Sequence, residues 1–502
     1  MKLRPLLSLL LCAALLLPGC SPQSDPASSQ DGSSSSAQGG NASGETVPFA
    51  LAIYPDYTLH PVLAENRANL TLAPLLYEPL FQLDEQFQPQ NVLCQSYSVS
   101  EDGLTWTFLL RSGVTFSDGT PLTGTVTADA LNLARQEGSR YAQRLASVVS
   151  ITGDEGSVTM VLSRPNRSLP ALLDIPIALT NTQRPAGTGP YVLTETEEGL
   201  SLTARSGWWQ NKTLPAQELP LREMRKADDQ LSAFSSGDVG LVDVDLMGTN
   251  AMGYSGSYET WDYATTTLLY LGFNTQSGLC TDPQARRALP LAIDRDSIAQ
   301  TDYARHAVAA ALPVHPNSPL YNEELAQSVS YNPEQLVAQL EELNVPRRDL
   351  VLLVNSENTA KLSAAQRIVY QLDAAGVPVT LKPLPFEEFT AALQAGSFDL
   401  YLGEVVLTAD FDLTALLSSD GALNYGRWQD SQFPALLTAF LQASDSTREG
   451  AAYTLYNYLC QQMPIAPICF KNASVLTQWG RLSGLSPVRG NVFYQLENWT
   501  IS

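Results

Sequence analysis

His60, His306 and His315 are the only histidines of this 502-residue chain. None stands in the His-Glu-x-x-His spacing that puts two imidazoles on one helix face for zinc. Gly253-Tyr254-Ser255-Gly256-Ser257 holds a serine near glycines but lacks the second glycine position of a nucleophile elbow. Gly187-Thr188-Gly189 opens like a dinucleotide loop, yet Val192 stands where the third glycine belongs, outside a strand-to-helix context. Carboxylate pairs such as Asp228-Asp229 and Glu387-Glu388 have the chemistry of acid–base catalysis. In a chain with 51 Asp and Glu they read as solvated faces. Cys94, Cys280, Cys460 and Cys469 show no Cys-x-x-Cys spacing, so zinc and thioredoxin-type chemistry have no footing. Cys460 and Cys469 are close enough in sequence to pair after export, and four buried free thiols fit the spacing equally. No nucleophile, base and orienting group converge. The chain reads as a binder rather than an enzyme, with no cofactor and no metal ligand set.

One cysteine does sit in a chemical context. Lys2 and Arg4 precede an apolar run from Leu6 to Leu17, followed by Leu17-Pro18-Gly19-Cys20. Cationic, apolar and small-residue zones in that order are those of a secretory signal. The run is too short to span about 30 Å of hydrocarbon. Cys20 directly after Gly19 resembles the lipobox of bacterial lipoproteins, which implies a signal over residues 1–20 and acylation of the Cys20 thiol. Residues 21–45 hold nine serines and no aromatic or large aliphatic side chain. Such a segment buries too little apolar surface to offset its ordering entropy and is expected to be a disordered tether. As a flexible coil it would reach roughly 25–30 Å. The protein is therefore expected outside the cytoplasm, lipid-anchored at the cell surface or in the periplasm.

The formal charge is −22, or −24 once Lys2 and Arg4 leave with the signal. Nucleic acid is disfavoured as a partner, because a polyanion needs a basic surface. An acidic field favours cationic ligands, and it also serves solubility. The length beyond Thr46 exceeds what one core usually serves, so two or three lobes are expected.

Several elements can be read directly. In Thr105–Arg111, Trp106, Phe108 and Leu110 share one strand face, between the turn dipeptides Asp102-Gly103 and Asp118-Gly119. Leu122–Gly138 is expected to be helical. Val351–Val354, Val377–Leu381 and Phe398–Val406 read as strands, separated by helices over Asn358–Ala375 and Phe386–Ala395 that end at Gly376 and Gly396. This alternation predicts an open sheet with helical crossovers, whose ligands lie beyond the carboxyl ends of strands. Asn332-Pro333 starts a further helix, with Leu336, Leu340 and Leu343 on its buried face.

Together these segments resemble the family 5 extracellular solute-binding proteins, the oligopeptide, dipeptide and nickel receptors of ABC importers. Leu59-His60-Pro61 is similar to the family's Leu-Asp-Pro element, with His60 replacing the acid, and Tyr77-Glu78-Pro79-Leu80-Phe81 to its Tyr-Glu-Gly-Leu-Phe. Ser100–Phe108 and Leu110–Leu122 resemble the family signature without a gap. Gly187-Thr188-Gly189-Pro190-Tyr191, Leu271–Thr275, Arg286–Arg295 and Ser397-Phe398-Asp399-Leu400 follow in family order. Two departures stand out. Pro290 interrupts what the family makes a continuous helix, and Val405-Val406-Leu407-Thr408 lacks the family's usual tryptophan.

The resemblance implies a two-lobed α/β fold of the class II (cluster C) periplasmic-binding-protein type, hinged around an interlobe cleft. Residues 46–270 plus 478–502 would form lobe I, including an 81–187 subdomain, and 271–477 lobe II. The chain would cross between lobes near Thr267–Asn274 and Val475–Gly480. Asp410 aligns with the acid that holds a peptide's α-ammonium; Phe411, Tyr425 and Tyr270 are expected as aromatic walls, and Asn424 as a hydrogen-bond partner of a peptide backbone. The implied function is capture of peptides and delivery to the membrane subunits of an ABC permease, by a monomer leashed at Cys20. A nickel-chelate or other small-solute receptor on the same fold, and a lipid-anchored sensor or scaffold, are the alternatives.

Overall fold

Two long strands, Tyr258–Phe273 and Ile465–Gln478, run antiparallel through the middle of the molecule and organise everything around them. The computed structural model describes residues 49–342 and 349–502. The expected signal, Cys20, the tether and Leu343 lie outside the described residues.

The long pair forms the centre of an 11-stranded mixed sheet. On one side Leu400–Val406 pairs antiparallel with Tyr258–Phe273, then Leu350–Asn355 and Val379–Leu384 follow in parallel. Parallel neighbours need crossovers, which here are the helices Thr359–Ala374 and Phe386–Ala395. Asn358 caps the first through Lys361 N–H. Gly376 and Gly396 take φ of +83° and +71° just past the helix ends, as their sequence positions predict. On the other side come Leu241–Val244, Leu51–Ile53, Glu218–Glu223, Gly199–Ala204 and Tyr191–Thr196. Both ends of the chain thus build this half, since the Leu482–Ser483 and Thr500–Ile501 strands pair and Trp499 packs into the same apolar cluster as Leu51 and Leu202.

A separate four-stranded sheet holds Cys94–Val99, Thr105–Leu110, Ser157–Leu162 and Val148–Gly153, covered by the helix Gly124–Ala134. Trp106, Phe108 and Leu110 are buried on one face, while Leu109 is exposed. Pro290 has the anticipated effect. The helix Pro283–Ala288 continues only as a 3-10 turn over Leu289–Ala292. Asn332 caps the Pro333–Glu342 helix through Gln335 N–H, and Leu336 is buried beneath it. Cys94, Cys280, Cys460 and Cys469 form no disulfide with one another.

The Gly187-Thr188-Gly189 turn has a packing role. A Cβ on Gly187 would lie 2.0 Å from the Leu76 carbonyl oxygen, so only glycine lets this turn press against the end of the Arg67–Leu76 helix.

Candidate functional site

A cavity of about 520 Å³ opens beside the long strand pair. Its walls come from the Arg67–Leu76 helix, from Tyr141 and Asp174 beside the small sheet, from Thr265 and Thr267, from Val406 and Lys471 across the strand pair, and from the C-terminal Arg489–Val492 segment. A second cavity of about 580 Å³ adjoins it, sharing Pro74, Asp174 and Asn491. Its polar floor is Glu78, buried, whose carboxylate accepts from Trp208 Nε1 (3.3 Å), Trp209 Nε1 (2.6 Å) and Gln210 Nε2 (2.7 Å). Burial raises the Glu78 pKa and these donors oppose the rise.

Charge in the first cavity is arranged in pairs at one end. Arg67 Nη2 meets Asp243 Oδ1 at 3.0 Å, and the Tyr263 hydroxyl donates to the same carboxylate oxygen at 2.8 Å. Lys471 Nζ meets Asp245 Oδ2 at 2.8 Å and Glu404 Oε1 at 3.8 Å. At the other end Arg144 and Arg489 share Asp174, at 2.5 and 3.2 Å.

Asp410 lies away from both cavities, where the segment 164–167 meets the segment 408–448. It is 2 % exposed. Oδ2 accepts from Asn166 Nδ2 at 2.7 Å, and Oδ1 from the Thr408 hydroxyl at 2.5 Å. Burial raises its pKa, the Asp412 charge adds to the rise, and the Thr408 and Asn166 donors and the Arg448 cation oppose it. Arg448 donates to the Asp410 carbonyl at 3.0 Å, and its Nη1 is buried without a hydrogen-bond partner. Nearby, Arg164 Nη2 meets Asp412 Oδ2 at 2.5 Å.

The other four expected site residues take these places. Phe411 is 1 % exposed, at φ +55°, edge-on to Phe87 (5.6 Å) and Phe470 (6.4 Å). Tyr270 is buried and edge-on to Tyr401 at 5.7 Å, and Tyr425 approaches the same Tyr401 ring at 6.3 Å. Asn424 spends its amide on its own loop, donating to Ser418 O and Trp428 O and accepting from Trp428 N–H. Tyr270 and Tyr425 therefore come together around Tyr401, while Asp410 and Phe411 occupy the contact with residues 87 and 166. None of the five lines either of these two cavities.

Sequence reasoning missed Arg140, Arg144 and Arg489. The available signal was Arg140-Tyr141 with Arg144 four residues on, two cations in a segment of a strongly acidic chain. It also missed His315. That ring is fully buried between Phe87 and Phe470, at 5.1 Å from each, and accepts from Asn317 N–H through Nδ1. Among the described residues no group of three or more His, Cys, Asp and Glu is arranged to hold a metal ion, and no helix is long and apolar enough to cross a membrane.

A mixed sheet with helical crossovers on one side, a small accessory sheet on the other and a cavity lined from both define a two-lobed α/β receptor architecture. Residues 88–424 match the bacterial extracellular solute-binding proteins, family 5 (middle region). The chain belongs to this family of extracytoplasmic receptors for ABC importers. It is 23 % identical over 448 residues to the glutathione-binding protein GsiB of Shigella flexneri serotype 5b (strain 8401), covering 82 % of this chain and 86 % of GsiB. HbpA2 from Haemophilus parasuis has the same fold, with a TM-score of 0.75 at 21 % identity over 91 % of this chain and 99 % of its own. The periplasmic murein tripeptide-binding protein MppA, in an unliganded open form, superposes with a TM-score of 0.74 at 19 % identity, covering 91 % of this chain and 98 % of its own.

Proposed function

We propose that this chain captures peptides in the cavity beside the long strand pair and hands them to the membrane subunits of an ABC importer. The observation that carries the reading is the cavity's lining. Arg67 and Asp174, of the proposed lobe I, and Val406 and Lys471, of the proposed lobe II, line the same cavity, so one solute there would touch both. A ligand shifts a hinge equilibrium only by its preference for the closed state, and contact with both lobes supplies that preference. Peptide as the class is supported by two of the similar proteins, which are named for glutathione and for a murein tripeptide.

In this reading residues 46–270 and 478–502 act as lobe I, including the 81–187 subdomain, and 271–477 as lobe II. Asp410 lines neither cavity, and as the anchor for a peptide ammonium it would serve only where the 164–167 contact opens and Asn166 gives up the buried carboxylate. Phe411 packs beside it against Phe87 and Phe470, Tyr270 and Tyr425 support a separate wall around Tyr401, and Asn424 fixes the loop that carries Tyr425. The receptor works as a monomer, held to the membrane by acylated Cys20 so that its local concentration at the permease stays high.

Native mass spectrometry of gently purified protein tests the reading. A bound mass in the range of short peptides is expected, lost when the protein is unfolded and refolded, with a raised melting temperature when it is returned. Protein that carries no such mass, and whose melting temperature no peptide pool raises, overturns it.

A further inference from the structure

The geometry points to a carboxylate subsite: Arg140, Arg144 and Arg489 form a cationic end of the cavity that takes an acidic group of the bound solute. The inference rests on the peptide-receptor reading above and deepens it by naming which end of the solute goes where.

Three observations carry it. The first is charge balance within the cavity. Arg67 is matched by Asp243, and Lys471 by Asp245 with Glu404 behind it. At the opposite end Arg144 and Arg489 meet one carboxylate, Asp174, and Arg140 stands close enough to Arg489 to repel its charge. Arg144 Nη1 takes Oδ1 and Arg489 Nη1 takes Oδ2, so each oxygen is shared out and neither arginine has a carboxylate of its own. Arg140 has no carboxylate within ion-pair distance among the described residues. One carboxylate against three cations leaves an excess of two positive charges.

The second is burial. Asp174 is 5 % exposed and Arg489 14 % exposed at their side chains. Desolvation and the neighbouring Arg144 push the Arg489 pKa down to about 10. It stays charged at neutral pH, and a buried charge without full compensation is a standing demand for a counter-ion. The third is preorganisation. The Tyr141 ring lies under both Arg140 (5.5 Å) and Arg144 (4.9 Å), which holds two flexible cations at the mouth. Guanidinium offers paired N–H donors that match a carboxylate's two oxygens. In a chain of net charge −22, such a local reversal of sign is what would admit an anionic group.

The test uses one peptide pool in two forms, a tryptic digest of casein and the same digest with its carboxyl groups methyl-esterified. Wild-type mature protein, refolded to remove bound solute, is expected to retain free-acid peptides at least tenfold better than their esters. The Arg140→Gln/Arg489→Gln variant is expected to lose that preference along with at least tenfold of its retention. If the double variant does not fold by circular dichroism, Arg140→Gln alone serves, since Arg140 is exposed. Equal retention of the two pools by wild type, or an unaltered preference in the folded variant, overturns the subsite while the receptor reading stands. Retention of neither pool by wild type overturns the peptide reading and the subsite together.

Discussion

Asn166 and Asp410 stand 244 positions apart in sequence and share a 2.7 Å hydrogen bond in which both groups are buried. The bond ties the segment that follows the small-sheet strand Ser157–Leu162 to the loop that follows Leu400–Val406. Arg164 to Asp412 and Arg167 N–H to the Leu441 carbonyl repeat the same connection on either side.

The two halves of this pair have separable consequences. If Asp410 anchors the peptide ammonium as proposed, Asp410→Ala is expected to weaken binding of the co-purifying peptide by at least 100-fold, because losing one side of a desolvated carboxylate–ammonium pair costs about 3–5 kcal/mol. Asn166→Ala is expected to lower the unliganded stability by about 1–3 kcal/mol, through the loss of a buried hydrogen bond. Calorimetric titration and urea unfolding read the two effects. Unchanged affinity together with unchanged folding in Asp410→Ala removes the ammonium role.

His315 gives a pH dependence of stability. Burial pushes its pKa down to about 4 from the usual 6.5, so the folded state keeps the ring neutral while the unfolded chain takes up a proton below about pH 6.5. With folded pKa below unfolded pKa, this contribution is complete above pH 6.5. It is lost as pH falls towards 4 and totals about 3 kcal/mol. His315→Phe is expected to flatten this stretch of the stability curve, measured as urea midpoints between pH 4 and 7. A slope identical to wild type rules the assignment out.

Gly272 and Gly403 lie opposite Tyr401 and Tyr270 on neighbouring strands, so each ring fills the space left by the other strand's glycine. A Cβ on Gly272 would come within 2.1 Å of the Tyr401 ring, and one on Gly403 within 2.5 Å of Tyr270. Overpacking of this kind costs roughly 1–3 kcal/mol or more. Either glycine-to-alanine change is expected to depress the melting temperature by several degrees, and Gly272→Ala with Tyr401→Leu to recover part of it.

The thiols are a fourth check. Burial pushes Cys94 and Cys460 up to about 12 and Cys469 higher still. Since the thiolate is the reactive form, folded protein is expected to react with Ellman's reagent only slowly. In denaturant, the four thiols of Cys94, Cys280, Cys460 and Cys469 should titrate in full. Two fewer would mean a disulfide between Cys460 and Cys469.

Periodicity made the α/β half legible. Strand, crossover and Gly stop over Leu350–Val406 are local signals, and the Trp106-Phe108-Leu110 face is a period-2 pattern. What sequence could not show is the length of the central strands. Tyr258–Phe273 mixes Thr, Asp and Glu with aromatics because it passes from a half-buried to a fully buried setting along its length. The cationic end of the cavity was likewise hidden. Arg144, Asp174 and Arg489 meet only through tertiary folding, the last of them from the C-terminal segment. The alignment that drew attention to Asp410 fixed its place in the chain and left its partner, Asn166, unseen.

The paired strands Tyr258–Phe273 and Ile465–Gln478 keep their ladder through almost its whole course, broken in register only between Ala264 and Thr267 and again between Leu269 and Tyr270. A ribbon of this kind resists shearing and stretching but bends where its rungs are missing. In the receptor reading proposed above, opening and shutting would flex the ribbon at those two irregularities, directly beside Thr265 and Thr267 in the cavity wall. Cargo seated there would lie at the fulcrum of such a motion, where a small displacement would swing the far rims, the surfaces a membrane partner would meet, through a much larger arc.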